Sequence, residues 1–317
     1  PIPRVQDLLQ TLHGFTYATA LDLNMGYYTL RLTPGSSKLC TIIFPWGKYE
    51  YLKLPMGAMP SAFIFQEKIN SLLGDIDSVL TYLDDILVVT KQSFEDHLVQ
   101  LEKVLERLHS ANLKVNVTKS FFARGELEYL GYWVTRQGVR PMANKVEAIQ
   151  RIKPPKNLRQ LRSFLGMVNY YRDMWKRRSH MLAPLTELTK GVSKNKTRPI
   201  EWTEELQKTF EHVKRVIAKD TILSFPDYSQ PFVVHADASD YQLGGVISQG
   251  GKPIAFYSRK LNPAQRNYTV GEREMLSIVE TLREYRNILL GYHVIVYTDH
   301  QNNVDPKTIS RSPRIQR

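Results

Sequence analysis

The 317-residue chain carries a single cysteine, Cys40. No internal disulfide can form, so nothing calls for an oxidising compartment, and an intracellular, cytoplasmic setting is the expectation. No apolar run nears the roughly 20 residues that cross a bilayer, and the opening PIPRVQDLLQ lacks the apolar centre of a secretory signal. No membrane partner is expected. Internal repeats and low-complexity tracts are absent, which excludes solenoids and fibrous chains. Disorder is excluded by what is present, 42% hydrophobic and 10% aromatic residues. The length exceeds that at which one hydrophobic core stops growing, so two or more domains are expected.

Acidic residues are the scarcer charge. The net charge is +12, and its distribution is uneven: between Arg140 and Arg198 fifteen Lys or Arg face three acids, Glu147, Asp173 and Glu187, a local excess equal to that of the whole chain. A solvated charge run is the bland interpretation. Here, however, Phe164, Tyr170, Tyr171 and Trp175 interleave with the charges at helical spacing, as a surface tracking a phosphate backbone requires. A nucleic-acid partner is the expectation.

Residues 15–54 alternate β-rich runs (FTYATALDL, YYTLRL, KLCTIIF, YEYLKL) with turn-prone breaks, which predicts a sheet region. SAFIFQEKINSLLGD has helical spacing and stops at Gly74. VLTYL and ILVVT flank Asp84-Asp85 as the arms of a hairpin. Ser93 and Asp96 open a long helix with the stripe Leu98, Leu101, Val104, Leu105 and Leu108. Strands follow at LKVNV and LEYLGYWV, then helices at 143–152 and 157–178, a polar boundary at 191–199 and a helix at 203–219. A last domain opens near Tyr228 with three strands, the helix GEREMLSIVETLREYRNILLG and the strand HVIVYTD.

Two sets of acids stand out. Adjacent carboxylates at a tight turn repel one another, so Asp84 and Asp85 call for a positive partner, a divalent cation above all. Asp22 closes another apolar strand, ATALD, and a sheet that sets the two strands side by side brings all three acids together. Asp-Asp also simply suits a turn. In the last domain Asp237 lies on the first strand, Glu274 in the first turns of the helix and Asp299 at the end of the fourth strand. Three acids on three elements of one sheet-and-helix unit can meet at an edge around metal ions. Glu272 is the neighbouring alternative to Glu274.

ALDLNMGYYTLRL, LPMGAMPSAFIFQ, TYLDDILVV and LEYLGYWVTRQGVRP, in that order, resemble the palm motifs of reverse transcriptases from gypsy-type LTR retrotransposons. HADAS with GGVISQ, PIAFYSRKLNPAQRNYTVGEREMLSIV and VYTDH resemble the ribonuclease H domain of the same Pol polyproteins. The resemblance implies an α+β multidomain fold: a right-hand polymerase palm with partial fingers over 1–138, a basic helical thumb over 139–200, a linker segment with a helix over 201–227, and an α/β ribonuclease H-like domain with a mixed sheet over 228–317. It implies that Asp22, Asp84 and Asp85 hold metal for nucleotidyl transfer, with Asp85 least directly involved. Tyr27 would gate the sugar of the incoming dNTP. Met56 and Gly57 would contact that nucleotide, Met56 standing where the family more often has an aromatic residue or Gln. Lys119 would be either a surface lysine or the acid that protonates pyrophosphate. Leu130, Gly131 and Tyr132 would grip the primer end.

Asp237, Glu274 and Asp299 would bind metal for hydrolysis of the RNA strand of an RNA/DNA hybrid. The implied cofactor is Mg2+, two ions per active site, with Mn2+ as the alternative. The implied partners are an RNA or DNA template with its primer, RNA/DNA hybrid and dNTPs, besides the protease and integrase of a parent polyprotein, and the implied setting is a virus-like particle in the cytoplasm. Family fingers strands before PIPRVQDLL and a fourth nuclease carboxylate past Arg317 are expected outside this chain, so it is expected to be a fragment. Two functions compete. One is an RNA-directed DNA polymerase with an attached hybrid nuclease; the other is an impaired or domesticated fragment that binds nucleic acid. An RNA-dependent RNA polymerase would put a small residue at Tyr27 and carry no nuclease domain.

Overall fold

The computed structural model describes residues 2–190, 199–219 and 222–298. The chain forms two compact units, Pro1–Arg136 and Gln137–Arg317.

The first unit begins with α1 (Val5–Gln10) and β1 (Tyr17–Asn24), followed by α2 (Pro34–Leu39), the hairpin β2 (Thr41–Phe44) and β3 (Gly47–Glu50), and α3 (Ser61–Leu73). Next come β4 (Val79–Tyr82), β5 (Asp85–Thr90), α4 (Phe94–Ser110), β6 (Lys114–Val115), β7 (Phe121–Arg124), β8 (Glu126–Tyr129) and β9 (Tyr132–Thr135). The main sheet runs β4-β5-β1-β6, with β7 also paired to β1. Alternation decides which residues face its core. Leu21, Leu23, Ile86 and Val88 point to one side and pack with Phe65, Ile69 and Leu73 of α3 and Leu101, Val104 and Leu108 of α4. Asp22 and Asp85, one residue out of phase, therefore point away from that core.

Two local expectations are corrected in this unit. YYTLRL is no strand: Gly26–Thr29 coil into a short 3-10 helix, because Gly26 lies under Phe65, where an added Cβ would come within 2.6 Å of the ring. The buried stripe of α4 is His97, Leu101, Val104 and Leu108, while Leu98 and Leu105 are exposed. His97 takes its place in the core because both ring nitrogens find hydroxyls, Thr19 Oγ1 at 2.7 Å and Thr90 Oγ1 at 2.9 Å. The Ser93–Asp96 capping box forms as expected.

The second unit contains β10 (Gly138–Pro141), α5 (Ala143–Arg151), α6 (Leu158–Tyr170), α7 (Arg178–Glu187) and α8 (Glu204–Ile217). After these come β11 (Phe232–Ala238), β12 (Gln242–Gln249), β13 (Lys252–Lys260), α9 (Pro263–Arg266), α10 (Val270–Glu284), α11 (Arg286–Leu289) and β14 (Val294–Tyr297). The single helix expected over 157–178 is broken at Tyr171, because Tyr171, Met174 and Trp175 turn inward and are buried. The aromatics interleaved with the basic run are therefore mostly core: Phe164 packs on Phe210 at 4.7 Å, and only Tyr170 is exposed. The expected boundary at 191–199 lies outside the described residues except for Arg-flanking Pro199, which bridges Asn157.

The sheet order β13-β12-β11-β14 is mixed, with β14 parallel to β11 and the other pairs antiparallel. Helix α10 lies against it, and Gly245 permits the approach, since a Cβ there would meet Thr281 Oγ1 at 2.5 Å. No described helix is long and apolar enough to cross a membrane.

Candidate active sites

In the first unit the register places Asp22 directly opposite Asp85, on the sheet face turned away from the α3–α4 core. Tyr82 pairs with Asp85, so Leu83 and Asp84 form a two-residue turn. Leu83 has φ 53°, a conformation that side chains with a Cβ adopt at a cost of about 1–2 kcal/mol. Gln66, buried on α3, holds that turn. Its Oε1 accepts from the Leu83 N–H at 2.7 Å, while its Nε2 donates to Asn70 Oδ1 at 2.8 Å and to Thr81 Oγ1 at 3.1 Å. Backbone groups secure Asp22 as well: its N–H donates to Ser120 Oγ at 3.2 Å, and its carbonyl accepts from Asn116 at 2.8 Å. The Leu23 N–H donates to the carbonyl of Asp84 at 3.0 Å.

A cavity of about 390 Å³ opens on this face, lined by Asp22, Asp85, Lys119, Glu128, Tyr129, Leu130 and Gly131 among others. Leu130 and Gly131 form the two-residue turn between β8 and β9, both at positive φ, and Tyr132 is the first residue of β9. Burial, followed by the charges of Asp84, Asp22 and Glu128, pushes the Asp85 carboxyl up to about 6, and Lys119 opposes this. On the other side of the turn, Tyr27 stacks on Phe65 at 4.6 Å, and burial and the Asp84 charge push its hydroxyl up. The Asp84 charge thus reaches both Tyr27 and Asp85, and Asp85 lines the cavity. Met56 is exposed, and Gly57 has open space around it.

The structure therefore groups Asp22, Asp85, Lys119, Leu130 and Gly131 around one cavity. Gln66, Glu128 and Tyr129 escaped the sequence argument. The Gln closing SAFIFQ and the Glu-Tyr of LEYLG were there to see, but nothing in their spacing announces a clamp on a distant turn. A group of acids with the carboxyl of one member raised by burial and then by like charge is a suitable place for a hard divalent cation, which takes oxygen ligands and fills its remaining positions from water and phosphate. Among the described residues no three His, Cys, Asp or Glu side chains are gathered closely enough to hold a metal ion by themselves.

In the second unit Asp237 is exposed on β11. Ser277 Oγ of α10 lies 3.1 Å from the Asp237 carbonyl and 2.9 Å from that of Gly244, which ties the helix to this stretch of strand. Glu274, buried one turn earlier, shares the Ser277 face. Glu272 is instead engaged in a capping box with Thr269, accepting from its N–H at 2.9 Å. Asp299 lies outside the described residues. Asp237 and Glu274 are both carboxylates, which suits Mg2+ or Mn2+.

These two sheets, one with an acid hairpin beside a turn-lined cavity and one mixed with an acid on its first strand, define a polymerase palm joined to a nuclease-like fold. The family described as reverse transcriptase (RNA-dependent DNA polymerase) matches residues 1–134, and the RNase H-like domain found in reverse transcriptase matches residues 202–296. The chain is 37% identical to the retrovirus-related Pol polyprotein from transposon opus of Drosophila melanogaster, over 95% of this chain and 31% of that protein. It is 34% identical to that from transposon gypsy of the same organism, over 95% of this chain and 30% of the relative. A foamy viral protease-reverse transcriptase, solved in complex with RNA/DNA hybrid, superposes with a TM-score of 0.87 at 25% identity, covering 99% of this chain and 42% of that one. The chain belongs to the reverse transcriptase and ribonuclease H region of retrotransposon Pol polyproteins, and it spans about a third of the length of these curated relatives. Both families generally use divalent metals.

Proposed function

We propose that the first unit carries out RNA-directed DNA synthesis, extending a primer with dNTPs, and that the last domain cleaves the RNA strand of the resulting hybrid. The observation that carries the reading is the pairing of Asp22 with Asp85 at a two-residue turn whose cavity also holds Lys119 and the Leu130-Gly131 turn. Palm and partial fingers are assigned to 1–138, thumb to 139–200, a linker to 201–227 and nuclease to 228–317.

Asp22 and Asp84, with Asp85 alongside, would hold two Mg2+ ions, which when bound supply charge neutralisation at the attacking and leaving oxygens. Tyr27, fixed by its stack on Phe65, forms the floor against which a deoxyribose packs and a 2′ hydroxyl clashes. Met56 and Gly57 line the approach of the nucleotide. Leu130, Gly131 and Tyr132 hold the primer end above Asp22, the positive φ values at the turn bringing backbone rather than side chain to the strand. Lys119 lines the same cavity as Asp85, where a proton can be given to departing pyrophosphate. In the last domain Asp237, Glu274 and Asp299 would hold the nuclease metals. The basic residues of 140–198 grip the duplex through its phosphates, which carry little sequence information.

The test is extension of a DNA primer on an RNA template with Mg2+ and dNTPs, comparing the chain with its Asp84→Asn variant. Extension by the parent and none by Asp84→Asn supports the reading. Equal extension by both refutes it. Hybrid binding without extension by either moves the chain to the alternative of a nucleic-acid-binding module.

A further inference from the structure

Arg177, the residue before α7, has φ 56° and ψ 27°, a left-handed conformation that costs a side chain with a Cβ energy and that Asn or Gly adopts more readily. The surroundings explain how it is held. The next three residues dock on the nuclease-like sheet: Arg178 Nη2 donates to the Ser258 carbonyl at 3.0 Å, the Ser179 N–H to Ser258 Oγ at 2.9 Å, and the His180 N–H to Gln242 Oε1 at 2.9 Å. Gln242 and Ser258 are buried, so this docking is built into the fold. Ser258 pairs with Gly244, and Gly244 pairs with Asp237. The three residues form one row across β13, β12 and β11, two strand spacings or roughly 10 Å wide. From the docked end of that row the Arg177 side chain reaches its far end, and Nη2 lies 3.4 Å from Asp237 Oδ2.

We propose that Arg177 is the resident counter-ion of Asp237 and that a divalent cation is held at this carboxylate only by displacing the guanidinium. The proposal rests on the reading of Asp237 as a nuclease acid. A guanidinium and a hard metal ion compete for the same oxygens, so the apparent metal affinity falls by the factor with which the pair favours its closed form. Both side chains are largely exposed. The pair is therefore weak, and the factor is about two- to five-fold. Arg177 sets the metal concentration at which the nuclease site fills and contributes nothing to the chemistry itself.

The experiment counts Mn2+ binding by the electron paramagnetic resonance of the free ion. It uses the full chain with Asp22→Asn and Asp84→Asn to silence the polymerase site. To this background Arg177→Asn, Arg177→Lys and Asp237→Asn are added in turn. Asn tolerates the left-handed backbone, so Arg177→Asn removes the charge without unseating α7. The expected result is two- to five-fold tighter Mn2+ binding by Arg177→Asn, near-parent binding by Arg177→Lys, and loss of that site in Asp237→Asn. Unchanged or weaker binding by Arg177→Asn, with the site still lost in Asp237→Asn, overturns the counter-ion role and leaves the nuclease reading standing. If Asp237→Asn leaves Mn2+ binding intact, Asp237 holds no metal, and the nuclease reading falls together with the proposal.

Discussion

Replacing Asp85 by Asn should stabilise the first unit when metal is absent. The Asp85 carboxyl is raised from 3.8 to about 6 by burial and by the charges of Asp84, Asp22 and Glu128. At about 1.4 kcal/mol per unit, that is about 3 kcal/mol of penalty on the ionised form. The carboxyl is still partly open to solvent, and screening reduces the figure to about 1–2 kcal/mol. Because the folded pKa lies above the unfolded one, the folded state is the tighter proton binder. The parent is therefore penalised in full above pH about 6, recovers as the pH falls from 6 towards 3.8, and carries no penalty below that. The assay is a urea titration in EDTA, read by hydrogen exchange of the β1 and β5 amides so that the two units are not confused. Asp85→Asn should exceed the parent by about 1–2 kcal/mol at pH 8 and match it near pH 4. An excess of Mg2+ should shrink the difference by stabilising the parent preferentially. An Asp85→Asn protein less stable than its parent at pH 8 would refute the reasoning, since the carboxylate would then be making a favourable interaction in the apo fold.

Gln66→Leu leaves the Leu83 N–H without its acceptor and should cost about 1–3 kcal/mol in urea unfolding of the first unit, with slower primer extension; unchanged stability would show that the turn holds itself. His97 is buried and its folded pKa is depressed below 6.5, so its neutral form contributes stability that is progressively lost as the pH falls below the unfolded value. His97→Gln should flatten that part of the stability profile below pH 6.5, and a profile identical to the parent's would rule His97 out as its source. Gly245→Ala drives a methyl against Thr281 and should cost about 1–3 kcal/mol in thermal unfolding of the second unit. Adding Thr281→Ala should recover part of this loss, and strict additivity in the double-mutant cycle would disprove the contact.

Asp22, Asp84 and Asp85 stand out in the sequence because a carboxylate at the end of an apolar strand has no structural use for its charge. The same pattern also suits a plain turn, so a metal-holding role for these acids rests on the family resemblance, whereas the hairpin that carries Asp84 and Asp85 was written in the apolar runs on either side. The SAFIFQ helix, the Ser93–Asp96 cap and the strands of the nuclease-like sheet were legible for a similar reason, since each is written in neighbouring residues. What misled was burial. Phe164, Tyr171 and Trp175 looked like a stacking surface among basic residues, but Phe164 packs on Phe210 from the buried face of α6, and the break after Tyr170 turns Tyr171 and Trp175 inward. His97 joins the buried face of α4 because Thr19, distant in sequence, and Thr90 supply hydroxyl partners for both ring nitrogens.

The sequence by itself determined most of the strands and helices and which acids were left over from the core, because periodicity, caps and turn residues act over a few positions, while the 3-10 turn at Gly26–Thr29 and the break after Tyr170 were set by packing. Only the tertiary structure decided that Asp22 lies opposite Asp85, that Gln66 holds the Leu83 turn, that Glu272 serves the cap of α10 while Glu274 is buried against β11, and that Arg177 reaches Asp237. Each of these depends on register and on chain segments far apart in sequence. Their energies come from desolvation, like-charge repulsion and hydrogen bonds, which take their values only once folding has set the distances.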